Sequence, residues 1–394
     1  MRGLPRPGTG PVKSFRVRLE TDIHTQHLRG SQLIDFQEIK SICERNSCLS
    51  KSLVDDFLLT YVGEKEGQSQ KTFRKLGSFR HIINKMGADW IRMVVSQLLV
   101  NDIFRKDGQI NRIINHAEVS NRSQAEIDFL EFQIKHPWRF SFCTATKQHP
   151  HSFFEMKDVV SEETFLLFSP GISEINHDAG TAFSMWFLLI AFNGDCYQTY
   201  GPLVYFRGIQ PFDLFYFAKA IRPGIVLPNE VPDVIESDPL PFTMLFSGAE
   251  LPVTFHKKDM VVYHKSEYYV KDFDIERYVE DFIVEKKYPL FKLSLKRWHG
   301  FPHFSKCIYH AKKNLLILTS MTNRGYNSLV AALNRKKNDF PINPEILVTP
   351  SMHYLTKDIL GVSQDMFPYE KHFTKKSSQP GKPPANGVFR GLFA

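Results

Sequence analysis

Apolar positions recur at helical spacing through the first third of the chain. Leu53, Val54, Phe57, Leu58, Tyr61 and Val62 share one stripe, which Gly63 ends. A wider stripe from about 79 to 104 holds Ile82, Ile83, Met86, Trp90, Ile91, Val94, Val95, Leu98, Leu99 and Ile103, with Gly87 at a kink or turn. Ile110, Ile113, Ile114 and Ala117 extend the pattern beyond Asp107-Gly108. Ser123-Gln124-Ala125-Glu126 reads as a capping box, in which hydroxyl and carboxylate satisfy the first free amides of a helix. That helix carries Ile127, Leu130 and Ile134 and stops before His136-Pro137, because the residue ahead of a proline is pushed out of the helical region.

The pattern then changes to strands near 139–146, 152–158, 163–168, 183–192 and 196–206. Asn193-Gly194 between aromatic-rich runs is the best hairpin signal, since a type I′ turn needs positive φ. Pro211 opens a helix running to Ile221, with Asp213 in its first turn. This block predicts a curved antiparallel sheet or small barrel closed by a helix. The Pro-rich stretch 223–252 predicts an irregular connection, and the acidic stretch Lys271 to Glu285 an amphipathic surface helix. Beyond it the pattern predicts a strand (289–298), a hairpin (303–309 and 315–321), a helix (324–335), a strand (344–349) and a helix (351–360).

The expected fold class is α+β: a helical N-terminal domain, a central antiparallel β-sheet or small barrel, and a small C-terminal α/β unit. The expected divisions are a disordered basic arm at 1–30, the helical domain at 31–137, the β-rich domain with its irregular connection at 138–290, the α/β unit at 291–366 and a disordered basic tail at 367–394. A length of 394 residues has room for about two or three domains. Hydrophobic residues at 42% and charged residues at 23% exclude wholesale disorder, and 34 Phe place much of the core bulk in aromatic rings.

Lys and Arg number 50 against 42 Asp and Glu, a net charge of +8, and the surplus sits at the two ends. Inside the body, residues 71–115 hold nine basic and three acidic groups, 291–370 hold 11 and five, and 171–290 hold 10 and 17. Such segments either face one another or form a basic groove from 71–115 and 291–370. The five cysteines form neither a CxxC pair nor a zinc knuckle; Cys43 and Cys48 point apart on a helix. Sparse cysteine predicts a reducing, cytoplasmic setting. The longest apolar run, Ala179 to Gly194, is too short for a membrane-spanning helix and no apolar leader opens the chain, so no membrane association is expected.

Phosphate-loop, dinucleotide, HExxH and GxSxG signatures are absent. Histidines stand out at His149-Pro150-His151, His177-Asp178 and Trp298-His299-Gly300-Phe301-Pro302-His303. A metal would need three or four such donors converging, and Cys196 beside His177-Asp178 is a candidate nucleophile. Thr322-Asn323-Arg324-Gly325, between a strand and a helix, is a candidate anion site through Asn323 and Arg324. Arg80, Lys85 and Arg92 flank the apolar stripe of a helix pair broken at Gly87, where a helix-turn-helix would place phosphate contacts, although the second helix has few polar side chains for base edges and an ordinary core pair is the favoured reading. Trp298, Phe301 and Phe304 beside Lys296 and Arg297 could stack bases, but with Phe so abundant they are expected to serve as core.

The expected function is therefore a non-enzymatic intracellular binding or scaffold protein. It would contact nucleic acid or an acidic protein through the basic tails and segment 71–115, with Asn323, Arg324, Arg80, Lys85 and Arg92 as contact residues and no cofactor or metal. The alternative is a hydrolase with a His/Asp metal site or a Cys nucleophile in the central β block.

Overall fold

The computed structural model describes residues 35–179, 184–336, 338–362 and 364–373, without the side chains of 177–179. The expected basic arm at 1–30 and most of the expected tail, 374–394, lie outside the described residues.

Helix α1 (Phe36–Ser50) starts at Asp35, whose carboxylate accepts from the amides of Gln37 and Glu38. The chain winds on in wider, π-type turns through Lys51–Leu58 and Tyr61–Lys65. Helices α2 (Gln68–Leu76) and α3 (Arg80–Met86) then lead to α4 (Ala88–Phe104), with Gly87 at φ 82° at the break. Helix α4 is the axis of the domain: Val94, Val95, Leu98, Leu99, Val100, Ile103 and Phe104 are all buried. The later part of α4 is thus core, while its first turns are exposed at Ala88, Asp89, Arg92 and Met93. Short α5 (Ile110–Ile113) and α6 (Ala117–Ser120) precede α7 (Gln124–Lys135), which has the capping box that its sequence predicts.

Strands β1 (Arg139–His149), β2 (Phe153–Asp158), β3 (Thr164–Phe168), β4 (Met185–Phe192) and β5 (Tyr197–Phe206) close a barrel in the order β1-β2-β3-β5-β4. The expectation of antiparallel pairing fails at one seam, because β3 and β5 run parallel. The crossover between β3 and β4 includes α8 (Pro170–Ala179), which the strand reading missed. Its start was legible in Ser169-Pro170, since the Ser169 hydroxyl accepts from the Ile172 amide. Cys143, Phe154, Met156, Trp186, Leu188 and Ile190 fill the barrel. Alternate residues, among them Phe140, Phe142, Phe187 and Leu189, join the main core outside it. The uninterrupted apolar run of β4 is therefore a strand buried on both faces. Among the described residues no helix is long and apolar enough to cross a membrane.

Helix α9 (Pro211–Ile221) follows as expected, but the stretch expected to be irregular holds α10 (Val231–Ser237) and α11 (Leu240–Met244). Prolines occupy the first turns of both short helices, where the missing N–H has no partner to lose. Next come β6 (Phe255–His256) and β7 (Asp259–Met260), a two-stranded hairpin.

The C-terminal unit is a six-stranded antiparallel sheet in the order β13-β8-β12-β11-β10-β9. It comprises β8 (Tyr263–Tyr269), β9 (Phe282–Lys287), β10 (Leu290–Leu295), β11 (Lys306–His310), β12 (Leu315–Ser320) and β13 (Ile346–Val348). It thus draws on residues well before 291. The acidic stretch is not a helix: a short turn at Ile275–Tyr278 leads into edge strand β9, because Phe273, Tyr278 and Phe282 bury themselves in the core of this unit. Helix α12 (Asn323–Asn334) supplies Tyr326, Leu329, Val330 and Leu333 to that core, while α13 (Pro350–Leu360) packs with α9. The expected disorder from 367 onward is corrected for residues 367–373. Glu370 pairs with Lys292 at 3.5 Å and Lys306 at 2.8 Å, and Phe373 is buried.

Asp213 joins the central and C-terminal parts. Its buried carboxylate accepts from the Gln210 amide (3.0 Å), the Thr349 amide (2.7 Å) and the Thr349 hydroxyl (3.1 Å), so it ties the start of α9 to the start of α13. Burial outweighs these donors and pushes its carboxyl from 3.8 up to about 7. The folded protein then holds this proton more tightly than the unfolded chain, so the group's stabilising contribution is complete below pH 3.8 and is lost as pH rises through about 7. In urea denaturation, the stability of the wild type minus that of Asp213→Asn is expected to fall across this window. A difference independent of pH contradicts the assignment.

Candidate functional site

Three groups of residues that the sequence presents separately meet at the start of α12. The local cause is a cluster of buried hydroxyls. Ser305, Ser320 and Thr322 are each fully buried. The Ser305 and Ser320 hydroxyls lie 3.0 Å apart, and Ser320 Oγ donates to the His303 carbonyl at 3.0 Å. Thr322 Oγ1 accepts from the Gly325 amide at 3.1 Å and caps the helix. Asn323 is therefore not the cap. It is the first helical residue, and its side chain bonds His264. Gly325 is required by space: a Cβ there would sit 2.5 Å from Ser305 Oγ and 2.7 Å from Ser320 Oγ.

This cluster fixes the loop between β10 and β11. His303 Nδ1 hydrogen-bonds Thr322 Oγ1 at 2.6 Å, and the Met321 amide donates to the His303 carbonyl at 2.7 Å. Trp298 packs its ring edge-on to His303 at 4.4 Å. Arg324 lies over the Trp298 ring at 5.5 Å and pairs with Asp259 of the β6–β7 hairpin at 3.3 Å. His256 of the same hairpin meets Phe301 edge-on at 4.7 Å. A hairpin, a loop and a helix start thus form one surface.

Its outward side is aromatic and cationic. Phe255 is 58% exposed and Phe301 49%. Lys257, Lys258 and Arg297 are exposed and have no ion-pair partner among the described residues. Lys296 is committed, donating to the carbonyls of Val279 and Glu280. Burial, together with Arg324 and His256, pushes His303 below the ordinary imidazole range against the opposing pull of Asp259, so His303 is neutral near pH 7. Burial likewise pushes His264 down to about 4. The positive charge of the face comes from lysine and arginine. Thr322 is no nucleophile here, for its hydroxyl is buried and serves as a helix cap.

The other candidates do not converge. Lys85 pairs with Asp358 at 3.4 Å and Arg92 with Asp89 at 2.5 Å. Arg80 is exposed along with Lys71, Arg74 and Lys75, none of them in an ion pair among the described residues. His149 bonds Glu155 at 2.8 Å, His151 sits exposed at φ 60°, and His299 Nδ1 donates to the Lys296 carbonyl. The side chains of His177 and Asp178 lie outside the described residues. Among the described residues no three His, Cys, Asp or Glu side chains could hold a metal. Cys196 is buried with Cys43 as its close neighbour, Sγ to Sγ 3.3 Å. Phe304 is partly buried against the main core.

The sequence reading missed the β6–β7 hairpin, although Phe255-His256-Lys257-Lys258 carries the same aromatic and basic mixture as the segment it touches. Comparison with known protein families, with curated proteins and with solved structures gave no match.

The hydroxyl cluster is testable with two glycines. Gly325→Ala is expected to cost about 1–3 kcal/mol by overpacking. Gly300→Ala, where an added Cβ meets nothing within 4 Å, is expected to stay within about 0.5 kcal/mol of wild type. Equal urea midpoints for the two variants contradict the close approach at Gly325.

Proposed function

We propose that this protein binds single-stranded nucleic acid on the face formed by the β6–β7 hairpin, the 296–304 loop and the start of α12. The observation that carries the reading is the exposure of Phe255 and Phe301 on one held surface with Lys257, Lys258, Arg297 and Arg324. Unpaired bases stack on exposed rings, and lysine and arginine neutralise the phosphates between them. Arg324, over the Trp298 ring at 5.5 Å, adds a cation beside these rings.

An acidic protein would satisfy the lysines but leaves the exposed rings without a matching partner. A duplex would need an element free to enter a groove; most of α4 from Val94 onward is committed to the core, and Arg92 in its exposed first turns is paired with Asp89. Helix α1 occupies part of the barrel surface: Phe36 packs on His149 and Phe153, and Cys43 on Cys196, with Leu166 against the same cluster. The exposed row Lys71, Arg74, Lys75 and Arg80 supplies further phosphate contacts, as do the basic termini.

Fluorescence anisotropy with a labelled oligothymidylate tests the reading. Phe255→Ala and Phe301→Ala are each expected to weaken binding by about 1–3 kcal/mol, roughly 5- to 150-fold. Lys257→Ala with Lys258→Ala is expected to flatten the dependence of log affinity on log salt by about 0.7 for each phosphate no longer neutralised. Binding unchanged by all four substitutions overturns the proposal. A polyglutamate that competes equally, with equal sensitivity to the lysine variants and none to the Phe variants, points to an acidic protein instead.

A further inference from the structure

Cys43 and Cys196 lie 153 residues apart in sequence, yet their sulfurs are 3.3 Å apart. Cys43 comes from the middle of α1, and Cys196 follows the β4–β5 turn. The surroundings are built around the pair. The Asn193 side-chain amide donates to Cys43 Sγ at 3.3 Å, while its carbonyl accepts from the amides of Asp195 and Cys196 and so shapes the turn. The Gln198 side chain donates to the Cys43 carbonyl and to Ser47 Oγ, both at 3.0 Å.

We propose that Cys43 and Cys196 are a site of reversible disulfide formation that staples α1 to the barrel. Two features support it besides proximity. Cys43 is the one residue of α1 that is fully buried, so the thiol itself is the centre of the contact between α1 and the barrel. A cavity of about 180 Å³, lined in part by Asn46, Ser47, Asn193 and Gln198, reaches the residues that ring the sulfurs and has room for a small oxidant.

The two thiols are also unlike. The Cys196 thiol and the Asn193 amide hold Cys43 below the usual thiol range, whereas Cys196 is pushed up by the same thiol contact and by burial. The Asn193 amide also lies nearer the Cys43 sulfur, at 3.3 Å against 3.6 Å for Cys196, so Cys43 is the better placed attacking sulfur and Cys196 the resolving one. With hydrogen peroxide as oxidant, the Cys43 thiolate attacks one peroxide oxygen. The S–O bond forms as the O–O bond breaks, hydroxide leaves, and the released thiol proton converts it to water. The Cys196 sulfur then attacks the Cys43 sulfur of the sulfenic acid. The S–S bond forms, the S–O bond breaks, and a second water leaves with the Cys196 proton. Two electrons pass from sulfur to peroxide overall, and a dithiol reductant reverses the change.

The test treats the purified full chain with hydrogen peroxide, alkylates the remaining thiols after unfolding, and maps the peptides without reduction. The expected result is a linked Cys43–Cys196 peptide pair two hydrogens lighter than its parts and released by dithiothreitol. Two of the five thiols then no longer take up the alkylating reagent. Hydrogen exchange of the amides in 36–50 is expected to slow in the oxidised wild type and to stay unchanged by peroxide in Cys43→Ser or Cys196→Ser. The proposal is overturned if both sulfurs remain alkylatable while exposed Cys48 oxidises, or if Cys48 provides the linkage instead.

Discussion

The surface assigned to binding depends on a close approach in the first turn of α12. Gly325 lets the helix backbone settle onto three buried hydroxyls, and those hydroxyls hold the carbonyl of His303 and cap the helix. Arg324 is adjacent in sequence, so the same contact aims it at Trp298 and Asp259. Asp259 then brings in the hairpin that presents Phe255, Lys257 and Lys258. The exposed rings are displayed on elements fixed from beneath, which limits the ordering cost of a ligand that stacks on them.

The same economy recurs on the barrel. A β4–β5 turn shaped by Asn193 and a helix with one fully buried residue meet at two sulfurs. Asp213 performs a third such join, tying the starts of α9 and α13 through one buried carboxylate. In each case a short polar contact within an aromatic core sets the position of a whole element. The buried phenylalanines supply cohesion and carry little directional information.

Local signals were the most legible. The capping box at Ser123, the β4–β5 hairpin and the strand of the apolar run all appear within about two residues of where their pattern places them, but the turn is not the expected type I′ over Asn193-Gly194, because only Gly194 has positive φ. Tertiary effects were not legible. The parallel β3–β5 seam depends on a crossover, and the burial of Phe273, Tyr278 and Phe282 turns an acidic, helix-like stretch into an edge strand. Of the site, Trp298 and Phe301 were visible together as stacking or core aromatics, His303 as a metal-ligand candidate and Arg324 as an anion contact, in three separate hypotheses. Their convergence, and the Cys43–Cys196 pair, follow from contacts between distant segments that spacing cannot encode.

Photochemical cross-linking of a bound oligonucleotide, read by mass spectrometry of the peptides, addresses the central claim most directly. Adducts concentrated on Phe255, Trp298 and Phe301 are the predicted result. Adducts confined to α2 or to the barrel strands, with none on the hairpin or the 296–304 loop, contradict it.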